Sequence, residues 1–591
     1  MRNLFNSVPR PAIRYNSYDL SFPNSFSADY GKLYPCLVKE VLAGEIFSDF
    51  SEDMVRTQPL VAPVFSRTDC SVHYFFVPNR LIYEDWTKFI VRGDDGNTDY
   101  DKPYINPLLF DTDLTSTNGI QWSLWMDGSL MDYLNFATFA PTTPKGDLPV
   151  TSEAPLDMMP FNAYSLIYNE YYRDENLIPE VFLWKASGYT QNYNDYQDYL
   201  TELHTDWFDP NDLSWHPKAD ILAFPMFLRY RSWRKDYFTS ALPFVQKGVP
   251  ISLAGISTDA TQLGVYFKST GTLDGNARQF ATFFNPSTLP SDNPLLYSTK
   301  FGYVAEGSTT VTPNSSDAYN RSVRAYVNLP ELQSTVMTIS DLRVGLALQQ
   351  WFELNARVGS DRYFEYLLGH FGVRDRDSRL QRPEYLGGFT HSIQISEVEQ
   401  NSATVQGETP QGNLAGKGLG YAANSRVKYR FPEPGFLMAI FSIRPQAVYF
   451  QGLPRMYTRW DAFDYYDPLF DHLSEQPIYK SELFYQWDIR PQSDSDAVFG
   501  YTPRFSEYRT SQGEIHGNFR NSLRYWVSPR VLDRSVELNR TFIEVEGYSQ
   551  GLYKQFAYEG TSTAGADHFL VHMNHHIKFL RPMSKYATPK I

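Results

Sequence analysis

Cysteine is almost absent from this chain: Cys36 and Cys70 are the only two in 591 residues. A secreted protein of this size ordinarily uses more, so the count points to a reducing compartment. No stretch approaches 18 apolar residues without a charge, which excludes a transmembrane helix. The opening MRNLFNSVPRP has no apolar signal core. Together these absences predict a protein that stays in the cytoplasm of the cell that makes it. Positive charge is scarce: 53 Lys and Arg face 67 Asp and Glu, a net charge of −14. That balance argues against a surface coated all round with phosphate-binding charge. Catalytic signatures are missing too, with no HExxH, no CxxC pair and no dinucleotide-binding glycine fingerprint.

Aromatic residues, in contrast, make up 16% of the chain, with 42 Tyr and 42 Phe. They offer large, stiff contact area and concentrate in strands and at the centres of protein interfaces. Either a large β core or many subunit contacts accounts for them. The 38 prolines fit long ordered loops. Hydrophobic residues at 42% and charged residues at 20% describe a folded chain with a sizeable core. Length alone suggests three or four domains, a prior that a β-barrel with long insertions can break. The acidic balance is also uneven. Residues 1–18 carry Arg2, Arg10 and Arg14 and no acid; residues 568–591 carry Lys578, Arg581, Lys585 and Lys590 and no acid. Setting aside those seven positive charges leaves −21 on the remainder of a chain whose net charge is −14.

Helical periodicity is sparse. Phe161, Tyr164, Ile167, Tyr168, Tyr171 and Tyr172 recur at helical spacing, with Pro160 and Asn162 read as the N-terminal cap. Ser340–Val358 predicts a second helix, Tyr363–His370 a third, and Trp86, Phe89 and Ile90 a short turn. Strand-like runs are more widely spread: Leu37–Leu42, Val72–Val77, Phe436–Ile443, Ala447–Phe450, Thr541–Val545 and Phe569–Leu580. Dispersed strands joined by long Pro-, Gly- and Asp-rich loops suit a jelly roll with large insertions and do not suit βαβ units. Ile251–Pro330 is rich in Ser, Thr, Gly and Asn and low in charge. It reads as a surface insertion with a small β structure of its own.

Four motifs invite a chemical reading. GYSQG at Gly547–Gly551 matches a nucleophile elbow, but only 42 residues follow Ser549, too few to position an acid and a His; a turn between two strands is expected instead. GNLAGKG at Gly412–Gly418 has one residue too few between its glycines, and Gly418 where a phosphate loop needs Ser or Thr; it reads as a flexible loop. The run Asp94, Asp95, Asn97, Asp99, Asp101 lacks the Gly and the Glu of a calcium loop. His568, His572 and His576 share one face of a strand, about 13 Å apart at roughly 3.3 Å per residue, too far for one zinc ion. That face is expected to meet solvent or a partner, while Phe569, Val571, Met573, Ile577 and Phe579 form core. No cofactor and no metal are expected.

Several long stretches resemble the major capsid proteins of microviruses, small phages with circular single-stranded DNA, and most closely the gokushovirus-like branch. They are GKLYPCLVKEVLAGEIF at Gly31–Phe47 with its continuation at Leu60–Ile90, FNAYSLIYNEYYRDENL at Phe161–Leu177, DYFTSALPFVQKG at Asp236–Gly248, and Ser340–Gly412 including HFGVRDRDSRLQRPEYLGG. Gln451–Gln476 adds a weaker match. The stretches come in the family's order and span most of the chain. The resemblance implies a non-enzymatic virion protein: a mainly β, eight-stranded antiparallel jelly roll with long inserted loops and a few short helices, one capsid domain over residues 1–591. It implies pentamers, a T=1 shell of sixty copies and a single-stranded DNA genome, assembled in a bacterial cytoplasm. A small basic DNA-binding protein and other minor virion proteins are further expected partners, with no membrane. Residues 251–330 would then form a protrusion at the threefold axes. The DNA-facing candidates are Arg2, Arg10, Arg14, Lys578, Arg581, Lys585 and Lys590, with Phe5, Tyr15 and Tyr586 placed to stack on bases. The alternative is that both ends brace neighbouring subunits, the reading preferred for the C-terminal members. A carbohydrate-binding or glycan-degrading β protein is the competing class, because Trp- and Tyr-rich loops stack on sugars and acids are plentiful.

Overall fold

A computed structural model describes residues 14–93, 98–105, 127–138, 156–184, 225–247, 265–268, 302–304, 311–313, 324–327, 339–358, 381–399, 414–424, 426–471, 475–491, 496–547, 550–557 and 567–586. The chain divides into two compact units, Met1–Lys247 with Glu353–Ile591, and Gly248–Phe352.

The larger unit opens with five strands: β1 (Asn16–Asp19), β2 (Phe22–Ala28), β3 (Tyr34–Val41), β4 (Ile46–Thr57) and β5 (Thr68–Pro78). Two-residue strands β6 (Tyr104–Ile105) and β7 (Leu156–Asp157) pair with each other. In the second unit β8 (Val265–Lys268) pairs with β11 (Arg324–Val327), and β9 (Gly302–Val304) with β10 (Val311–Pro313). The larger unit resumes with β12 (Glu384–Ser392), β13 (Gln394–Glu399), β14 (Leu414–Ala423), β15 (Val427–Arg430) and β16 (Gly435–Pro445). A hairpin of β17 (Glu475–Tyr479) and β18 (Val498–Pro503) follows, then the long β19 (Phe569–Arg581).

Two antiparallel sheets result. One has seven strands in the order β1-β19-β4-β14-β13, with β2 also on β19 and β15 also on β4; the other runs β12-β5-β16-β3. Consecutive strands β3, β4 and β5 alternate between the sheets, an arrangement compatible with a jelly roll. Strand alternation sets the core. From β4 and β19, Phe47, Val55, Val571, Met573, Ile577 and Phe579 meet Val72, Tyr74 and Phe76 of β5 and Leu437, Ala439 and Phe441 of β16.

The opposite side of the four-stranded sheet is covered as well. Phe75 and Val77 of β5 and Met438 and Ile440 of β16 pack with Phe161, Tyr164, Ile167 and Tyr168. These belong to the helix Met159–Ile167 and the wide π-helical turn Tyr168–Tyr172 that continues it. Burial on both faces explains why VHYFFV and FLMAIFSI are almost wholly apolar, interrupted only by His73 and Ser442. A third core gathers Tyr237, Phe238, Ile478, Leu483, Phe499 and Phe542 near the β17–β18 hairpin.

Several local expectations change. Ala447–Phe450 forms no strand. Thr541–Val545 is largely the helix Arg540–Ile543, because the Asn539 side chain caps it by accepting from Phe542 N at 3.0 Å. Asn162 is no cap. It is buried inside its helix, where Nδ2 donates to Ile82 O and Trp184 O (3.0 and 2.8 Å) and Oδ1 accepts from Trp184 N (2.8 Å). The glycine run is not a loop from Leu414 onward but β14: a Cβ on Gly416 would lie 2.7 Å from Ala62 O, so glycine permits the close approach. The helix Ile339–Val358 is present, and the expected Tyr363–His370 helix lies outside the described residues.

Candidate nucleic-acid interface and buried polar sites

Pairing of β1 with β19 brings the two basic ends together. Asn16 sits opposite Arg581 and Asp19 opposite Lys578. Asn16 Nδ2 donates to Met583 O at 2.7 Å, and Tyr18 OH donates to Ser584 O at 2.7 Å. Arg14 and Lys585 therefore flank one corner of the seven-stranded sheet, and both are exposed. Lys578 is exposed because Ile577 and Phe579, its neighbours on β19, point into the core. Arg581 behaves differently. Its Nε donates to the fully buried carboxylate of Glu45, and its guanidinium lies 4.8 Å from the Phe579 ring. That charge is neutralised within the subunit. Tyr15 and Tyr586 are exposed beside the corner. Arg2, Arg10, Lys590 and Phe5 lie outside the described residues.

Inward-facing polar residues on β4 build a second feature that sequence reading missed. Phe47, Asp49, Ser51, Asp53 and Val55 all point into the core and are buried. Ser51 Oγ donates to Asp49 Oδ2 (2.6 Å), accepts from Tyr74 OH (3.0 Å) and lies 2.9 Å from His575 Nδ1. The residue types are those of a hydrolytic triad, but the carboxylate bonds to the serine and not to the imidazole. The serine is fully buried, which leaves no approach for a substrate. Two residues along, neither oxygen of Asp53 has a hydrogen-bond partner, and Oδ2 lies 3.6 Å from His391 Nδ1. Burial pushes Asp53 up to about 7 and drives His575 down to about 4. Burial also lowers His391.

The histidines expected on one polar face of β19 separate. His568 is buried just before the strand, with Nδ1 2.8 Å from Asp29 Oδ1 and its ring stacked on Tyr553 at 3.9 Å. His572 Nδ1 lies 2.7 Å from Ser25 Oγ, and His576 is exposed. Burial raises the Asp29 carboxyl, but the His568 hydrogen bond and the Lys32 charge outweigh it and hold it down; burial and the Asp29 charge push Asp567 up. Among the described residues no group of three or more His, Cys, Asp or Glu is arranged to hold a metal. Asp94, Asp95, Asn97 and Ser549 are outside them; Asp99 pairs with Arg92 at 2.7 Å. Gly547–Gly551 follows a short helix and not a strand, and Gln550 Nε2 donates back to Glu544 O at 2.8 Å. Cys36 and Cys70 are free and buried, which raises both thiols.

Residues 6–591 match the family described as Capsid protein (F protein). The chain belongs to that capsid-protein family. It is similar to capsid protein VP1 of Chlamydia phage 1, 32% identical over 587 residues, covering 92% of this chain and 91% of that one. It is also similar to capsid protein VP1 of Bdellovibrio phage phiMH2K, 29% identical with 91% and 90% covered, and of Spiroplasma virus 4, 27% identical with 84% and 81% covered. All three are microviruses, so the resemblance in the sequence holds. The capsid protein is a structural component of the virion and not an enzyme. Among its described residues no helix is long and apolar enough to cross a membrane.

Proposed function

We propose that this capsid protein assembles through pentamers into a T=1 shell of sixty copies that encloses a circular single-stranded DNA genome. The observation that carries the reading is the match to the capsid family over residues 6–591. The antiparallel two-sheet body supports it, since paired strands joined by long loops give a rigid wedge whose loops carry contacts. Closed symmetry repeats every contact, so modest contacts sum over a shell. Minor virion proteins and a small basic DNA-binding protein are its further partners.

The genome contact is the basic corner. Of the basic candidates, Arg14, Lys578 and Lys585 are exposed at or beside it; Arg2, Arg10 and Lys590 are assigned to the same contact by their charge, and Arg581 is held by Glu45 as a brace. Each phosphate neutralised releases counterions, which makes affinity fall with salt. Changing Arg2, Arg10 and Arg14 together to Gln gives shells of normal shape by negative stain, reduced DNA retention and a shallower salt dependence of single-stranded DNA binding. Normal packaging with an unchanged salt slope removes the N-terminal arm from the contact.

Residues 251–330, within the unit Gly248–Phe352, form the outward projection at the threefold axes. Replacing them with a short Gly/Ser linker leaves the larger unit folded by circular dichroism. Loss of folding in that variant makes the segment core.

A further inference from the structure

The segment Tyr457–Leu469 and nearby Trp487 of the larger unit expose several large apolar side chains. Tyr457, Trp460, Phe463 and Tyr465 are each more than half exposed, Leu469 is 82% exposed and Trp487 is 91% exposed. Arginines lie against three of these residues, Trp460, Phe463 and Tyr465. Arg490 lies 5.1 Å from the Trp460 ring, Arg459 lies 5.5 Å from Tyr465 and 4.4 Å from Tyr508, and Arg504 donates to Phe463 O at 3.0 Å.

The surface is held rigid from beneath. Arg455 Nη1 pairs with Glu482 at 3.1 Å, Arg459 Nη2 with Glu507 at 3.2 Å, and Tyr237 OH donates to Glu482 at 3.0 Å. All four ion-pair partners have side chains no more than 13% exposed. Side chains fixed in this way lose little further freedom when a partner arrives.

Composition and size then say what covers it. Pro454–Asp471 is rich in Tyr, Trp, Phe, Met and Arg and has no Lys and no Glu, residues enriched and depleted respectively at contact centres; its four Asp are the polar exception. At about 150–250 Å² per aromatic side chain, the exposed fractions of the five aromatic residues sum to roughly 650 Å², before Leu469 is added. That equals roughly one partner's share of a standard interface and exceeds the largest apolar patch of a typical monomer, about 300–600 Å². Asp461, Asp464 and Asp467 lie in the same short stretch as Arg459, with Arg490 and Arg504 beside them, so the face carries both charges and complements a similar surface.

We propose that this face binds a second copy of the chain and is a principal contact between subunits. The proposal rests on the shell reading above and assigns one of its contacts. Two exposed positions test it, L469D and W487D, in the full-length protein. Sedimentation velocity and negative stain measure the concentration at which pentamers or shells form, and circular dichroism with thermal melting verifies the fold. Both variants are expected to keep the wild-type spectrum and melting temperature while assembling only at concentrations at least about tenfold higher. Variants that assemble at wild-type concentrations overturn the placement of the contact and leave the shell reading intact. A wild-type protein that stays monomeric across salt and concentration overturns the shell reading and this proposal with it. A photo-crosslinking residue at position 487 in wild-type particles identifies the occupant. Attachment to a peptide of the same chain is expected, and attachment to a different polypeptide overturns the assignment.

Discussion

Replacing Asp53 with Asn is expected to stabilise the unassembled capsid protein at pH 8 and to lose more than half of that effect at pH 5. Asp53 is 1% exposed and neither carboxylate oxygen is hydrogen-bonded. Burial raises it from 3.8 to about 7. A carboxyl with a raised folded value favours folding when protonated. Its contribution is fully present below 3.8 and is lost as pH rises through about 7. With 1.36 kcal/mol per unit, the ionised group costs the fold about 4 kcal/mol at pH 8 and under about 2 kcal/mol at pH 5. Asn has nearly the same shape and does not titrate. Unfolding entropy of about 2.1 cal/mol/K per residue, taken over 591 residues, converts those figures to a rise in Tm of about 3 °C at pH 8 and about 1.3 °C at pH 5. His391 and His575 titrate in the opposite sense: their folded values are depressed, so their stability is present above 6.5 and lost as pH falls. Both remain in the variant, as do Asp49 and Tyr74, and largely cancel in the comparison. Differential scanning fluorimetry at pH 5, 6.5 and 8 measures the offset. An equal offset at all three values, or a lower Tm at pH 8, refutes the reasoning.

Gly31→Ala is expected to cost about 3 kcal/mol or more, because Gly31 has φ of +76° and a Cβ there would lie 1.9 Å from Val545 O; soluble yield and Tm report it. Tyr164→Phe is expected to cost about 2–4 kcal/mol, since the buried hydroxyl donates to Leu33 O and accepts from Arg229 N, both at 2.9 Å. Faster hydrogen exchange at the Arg229 amide checks that cause. Asn539→Ala is expected to cost about 1 kcal/mol by uncapping Arg540–Ile543, read as a lower Tm.

What the sequence made legible follows from which faces are buried. Strands β5 and β16 are covered on both sides, so VHYFFV and FLMAIFSI stand out as apolar runs. Strand β19 alternates cleanly from Phe569 to Phe579 and was equally readable. Strand β4 was not, because Asp49, Ser51 and Asp53 occupy its inward face and erase the two-residue period. The glycines of β14 concealed a strand whose backbone lies against Ala62. At Thr541–Val545 the β-branched and aromatic residues read as a strand, while the signal for the short helix is a single side chain, the Asn539 cap. The basic ends were visible as composition; their meeting at one corner depends on pairing between residues more than 550 apart, which no local pattern records. The aromatic face was visible only as an unusual abundance of Tyr, Trp and Phe, since exposure is a property of the folded chain.

The place of β19 has a consequence for synthesis. It lies between β4 and the β1–β2 edge, pairing with Ile46–Thr57 from more than 500 positions away. Until the ribosome has passed Arg581, β4 keeps a bare hydrogen-bonding edge, and the apolar residues Phe47 and Val55 lack their cover from Phe579 and Val571. A polypeptide released early therefore cannot complete this sheet, however much of the rest has formed. The building block is therefore complete only once its most distant strand has been made, and a product that stops short of β19 leaves that edge of β4 unpaired.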